Sequence, residues 1–195
     1  MPDTLPELTI AEHLPWVDIT LDYTERLIGL TPEAMFDYRP GNAAGDFFFT
    51  PAEIAMHLAD ERLEFARMLD GSHSREGFWT IASWETGGDG TPWQFRQYTD
   101  GAELLASLRE TRARLKPWLG LPVSALQEPT DGTRSIYERQ LGELRAKGVD
   151  ISGMQRRGAP SINRVLWSLV THEAAHRSYL QTILRLQGVD ARGEH

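Results

Sequence analysis

Residues 168–181 read SLVTHEAAHRSYLQ and place His172 and His176 four apart. On a helix that spacing sends both imidazoles off one face. Leu169 and Leu180 share the face, so the rings lie in an apolar stripe. Buried ring nitrogens need partners. One shared metal ion would satisfy both; hydrogen bonds to core waters or backbone would also do so. His57 stands in a second apolar stripe, beside Ile54 and Phe65. A lone histidine there would read as a satisfied core residue. Three inward histidines on two helices favour ligation, since His13, His73 and His195 lie off the stripes. Three neutral imidazoles leave a coordination position for water or substrate, as in reactive sites. Glu61, one turn after His57, has three readings. It accepts the outer N–H of a ligand imidazole, joins as a fourth ligand, or pairs with an arginine such as Arg164 or Arg177. The first and last are favoured. No catalytic or cofactor-binding side chain is singled out beyond these.

His172-Glu173-Ala174-Ala175-His176 also fits the HExxH pattern of zinc peptidases. Such an enzyme needs a third ligand downstream and a glutamate that activates water. The metzincin form would put a glycine at position 179 and a histidine at position 182, where this chain has Tyr179 and Thr182. Beyond His176 only Glu194 and His195, in the terminal tail, offer distant ligands. No strand precedes the motif to hold an extended peptide. A peptidase is therefore a distant third reading, and Glu173 is expected at the rim or in solvent. Arg156 and Arg157 read first as a solvated pair, and otherwise as a hold for a substrate anion.

The elements that must position these residues are helical. The chain has 195 residues, 41% apolar and 25% charged, which fits one domain over 1–195. Its net charge of −8 disfavours nucleic acid, which demands clustered cations. No cysteine is present, which excludes disulfides, thiolate ligands and a cysteine nucleophile. No membrane span or leader peptide is read, so a cytoplasmic protein is expected.

Periodicity near 3.5 residues runs through four stripes: Ile10–Ile28, Ile54–Met68, Leu104–Trp118 and Ile162–Ile183. Capping boxes at Thr9…Glu12, Thr50…Glu53 and Asp100…Glu103 precede the first three. Ser135…Glu138 marks a short extra helix ending near Gly148. Ser161 and Gly188 bracket the fourth stripe. The roughly thirty residues between the second and third stripes are long for a bare loop. A chain returning between two parallel helices would explain them. Phe78, Trp79, Trp84, Trp93, Phe95 and Tyr98 would let that crossover pack on the helices.

Two segments resemble the DinB/YfiT-like metal-binding four-helix bundles. TPAEIAMHLADERLEFARMLDG is similar to that family's second helix, and SLVTHEAAHRSYLQTILRLQGV to its fourth. The resemblance maps the family's triad onto His57, His172 and His176. Segment 120–159 is longer than the family pattern, and Ser178 stands where glycine is common. The resemblance implies an all-α, up-down-down-up bundle around a divalent ion: zinc, nickel or iron. It further implies activation of a low-molecular-weight thiol, such as bacillithiol or mycothiol, toward a small-molecule substrate, in an S-transferase or hydrolase. Some members pair as homodimers. The alternative is a non-catalytic, stress-related metal-binding bundle.

Overall fold

The computed structural model describes residues 7–39, 49–72 and 100–191. Their regular structure is helical, apart from one isolated bridge between Thr9 and Pro122. The crossover aromatics from Phe78 to Tyr98 lie outside the described residues, as do His73 and His195.

The caps expected at Thr9, Thr50 and Asp100 form, the first two as reciprocal boxes and the third through Asp100 accepting from Glu103 N–H. The Thr9 hydroxyl accepts from Glu12 N–H, and the Glu12 carboxylate receives the Thr9 N–H at 2.7 Å, opening α1 (Ile10–His13). The first stripe is nevertheless two helices. Leu14 leaves helical geometry at φ −119° and ψ 59°, and α2 (Pro15–Leu30) begins after it. Pro15 has no N–H to continue the ladder, and its ring disfavours helix at the residue before it. Thr50 and Glu53 form the reciprocal box that opens α3 (Pro51–Asp70), and Gly71 closes it at φ 83°. Asp100 caps α4 (Gly101–Ala113). The third stripe also breaks, leaving α5 (Lys116–Leu119) as a separate turn with Pro117 in its first positions.

Segment 120–159 holds more structure than one short helix. A 3-10 turn at Val123–Gln127 leads into α6 (Asp131–Ala146). Its cap is Thr130, which accepts from Thr133 N–H at 3.0 Å, so α6 starts ahead of the expected Ser135. The Thr130 hydroxyl also donates to the Leu69 carbonyl at 2.7 Å, satisfying one of the open carbonyls at the end of α3. Close approach is possible because Gly132 has no side chain; a Cβ there would lie 2.3 Å from Gly71 N. After α7 (Ser152–Arg157), Ser161 caps α8 (Ile162–Leu186).

Helices α2, α4, α3 and α8 close a ring, each packing on the next, while α6 docks on α3 from outside. Two apolar clusters fill the ring, and a third, smaller one of Tyr137, Leu141 and Ile151 lies under α6. Of the first two, one gathers Leu27, Ile28, Ile54, Leu58, Leu104, Leu108 and Leu180. The other gathers Val17, Leu21, Phe65, Leu69, Leu115, Val165 and Leu169. Between them, Thr24, Glu25, Arg62 and Glu173 are buried. No described helix is long and apolar enough to cross a membrane.

Candidate metal centre

The inner face of α3 carries His57 between Ile54 and Leu58, and only 4% of it is exposed. The facing turn of α8 carries His172 and His176. His57 Nε2 lies 2.7 Å from His172 Nε2 and 3.1 Å from His176 Nε2. The ring centroids stand 4.4 to 4.8 Å apart. Each histidine offers one nitrogen, and the three nitrogens fall within 4.8 Å of one another. The sequence-predicted triad is thus brought together by two helices.

Burial lowers the pKa of His172, partly opposed by the adjacent Glu173 carboxylate. Burial, and then the neighbouring His172, push His176 down to about 4. Both rings are therefore neutral near pH 7, the state that ligates metal. A neutral imidazole has one N–H and one lone pair. Three Nε2 atoms facing one point cannot all be matched well by pairwise N–H···N bonds, whereas one cation accepts three lone pairs together. The donor set fits a divalent ion, and imidazole suits zinc, nickel and iron alike. His172 keeps 28% of its side chain exposed, whereas His57 is buried. Phe49 packs on His176 edge-on, with centroids 6.4 Å apart.

Glu61 Oε2 lies 3.7 Å from His172 Nδ1, on the side of the ring away from the convergence point. That is beyond hydrogen-bond length, so the carboxylate faces the ring's outer nitrogen without holding it. Arg177, one of its suggested partners, instead sits over the Tyr23 ring at 4.8 Å. The other, Arg164, lines a cleft with Tyr137, Met154 and Arg157 that includes none of the triad. Arg156 and Arg157 are exposed.

Glu173 departs from expectation. It is 1% exposed, not at the rim. Both its oxygens face Arg62, at 2.5 Å from Nη2 and 3.3 Å from Nε. Its carboxylate is committed to that guanidinium, which leaves the peptidase reading without its general base. Arg62 was missed because LADERLEF reads as a charged surface stretch. Its spacing was informative, since Leu58, Arg62, Phe65 and Leu69 fall on one face.

Among the described residues, fold and site together define a helical protein with a histidine triad that can hold a metal ion. No family model, curated protein or solved structure matches the chain.

Proposed function

We propose that the chain is a DinB/YfiT-like metal protein. In this reading α2, α3, α4 and α8 form an up-down-down-up bundle, and His57, His172 and His176 hold zinc, nickel or iron. Its function would be to activate a low-molecular-weight thiol or water against a small electrophile, as an S-transferase or hydrolase. The observation that carries the reading is the meeting of three Nε2 atoms from two helices, with 2.7 and 3.1 Å between His57 and its partners.

A bound divalent ion would supply a lowered pKa to a coordinated thiol or water. The chain's own contribution is to keep His172 and His176 neutral and the ligand face of α3 dry. Glu61 would take the outer N–H of His172 once the gap of 3.7 Å closes. A cytoplasmic setting, where small thiols stay reduced, and pairing of two copies accompany the proposal.

The test uses untagged protein loaded with Co(II) and titrated with bacillithiol or mycothiol. Wild-type protein is expected to bind the ion and, on adding thiol, to gain a sulfur-to-cobalt charge-transfer band. His172→Ala should lower bound metal at least about tenfold. Unchanged metal content in that variant would remove His172 from the site. Metal uptake with no response to thiol, and no hydrolysis, would identify a non-catalytic metal-binding protein instead.

A further inference from the structure

We propose that Arg62 and Glu173 form a buried clamp that fixes the register of α8 against α3 and so holds the three imidazoles in convergence; the inference rests on the metal reading above. Arg62 is fully buried. A guanidinium has five N–H donors, and Arg62 makes five hydrogen bonds. Two go to Glu173, one to Glu25 Oε1 at 2.8 Å, one to the Leu108 carbonyl at 2.9 Å and one to the Leu21 carbonyl at 3.0 Å. One side chain on α3 thereby reaches α2, α4 and α8.

The clamp shares helices and turns with the ligands. Arg62 is five residues after His57, and Glu173 lies between His172 and His176. If α8 slid along α3 by one turn, Glu173 would leave the guanidinium and its charge would enter an apolar cluster. The same movement would separate the imidazoles. Net stability does not account for such a group well, because replacing a buried ion pair by apolar side chains is often neutral or stabilising. What apolar replacements lack is directionality. The Arg62 fork accepts one carboxylate orientation, and therefore one register. The glutamate of the HExxH pattern thus acts here as a positioning residue: it touches the arginine, not the point where the imidazoles meet.

Co(II) is the probe, and three variants decide. Arg62→Met/Glu173→Leu removes both ends of the clamp and leaves Glu25 paired with Arg112, 3.3 Å away. It should unfold cooperatively near the wild-type temperature, yet bind Co(II) at least about tenfold more weakly, with altered visible bands. Arg62→Lys keeps the cation but loses the fork; it should also bind more weakly and shift the bands. Glu173→Gln keeps the shape but sets an amide N–H, which cannot accept, against one Arg62 donor; it should also bind more weakly, though less so than the double variant. A folded double variant with wild-type affinity and spectrum would overturn the clamp. If that variant does not fold, a folded Arg62→Lys with wild-type affinity overturns it equally. A folded Glu173→Gln with wild-type affinity and spectrum would show that the two-point grip on Glu173 is not needed, and would also overturn it. Wild-type protein that takes up no Co(II) would defeat the metal reading itself, a result distinct from wild type and variants binding alike.

Discussion

Burial sets the protonation of His172 and His176, and with it a pH signature. His176 is pushed down to about 4, first by burial and then by His172, and His172 is lowered by burial as well. Above the ordinary histidine value near 6.5, folded and unfolded chains both hold these rings neutral, so they contribute nothing to the pH dependence. Below it the unfolded chain takes up protons that the folded chain refuses, so stability falls with falling pH. For His176 that loss is complete near pH 4. Thermal melts of metal-free protein should therefore decline between about pH 6.5 and pH 4, and His176→Gln should flatten the decline. An equal decline in that variant would assign the effect to other groups. At this scale the three histidines were legible, because their spacing put scarce polar rings on apolar faces. Arg62, Glu25 and Glu173 were equally well placed by spacing. Arg62 and Glu25 are not singled out, and Glu173 is read at the rim, because charged residues are expected outside unless paired, and pairing across three helices leaves no local mark.

Helix boundaries were legible where a side chain caps its own helix. Thr9, Thr50 and Asp100 all cap as their spacing indicates. The breaks at Pro15 and Pro117 were written in the sequence too, but the apolar period continues across them and masked them. The start of α6 was not legible, since Thr130 is chosen partly by its bond to Leu69, 61 residues away. The α3–α6 junction yields a prediction at the element scale. A methyl group at residue 132 would meet the backbone at Gly71 N (2.3 Å) and Leu69 O (2.5 Å), neither of which can swing aside. Gly132→Ala should destabilise the fold by roughly 1–3 kcal/mol, visible as a lowered denaturation midpoint. Co(II) affinity should hold, because α6 docks at the far end of α3 from His57. A large loss of metal with unchanged stability would show that α6 shapes the site.

At the scale of the whole molecule, helical class was legible because four periodic stripes admit few other structures. The pairing of helices was not, because periodicity names a buried face without naming what covers it. The triad joins α3 to α8, two helices far apart in sequence, so metal binding should stabilise the global fold. A ligand that binds only the folded state, at a hundredfold excess over Kd, adds about 2.7 kcal/mol. For a chain of this size that is a rise of about 5–10 °C in Tm. Zinc should produce the rise in scanning calorimetry and a chelator should reverse it, leaving a cooperative transition from the two apolar clusters. No change in Tm under saturating zinc would mean that folded and unfolded chains bind alike.

The charged layer between those clusters also bears on how the protein meets heat. Glu25, Arg62 and Glu173 are kept from water, and the hydration they forgo becomes less favourable as temperature rises. Apolar burial gains little over the same range. The layer is thus the part of the interior that grows relatively cheaper to maintain on warming, and it weighs most heavily against the folded state in the cold.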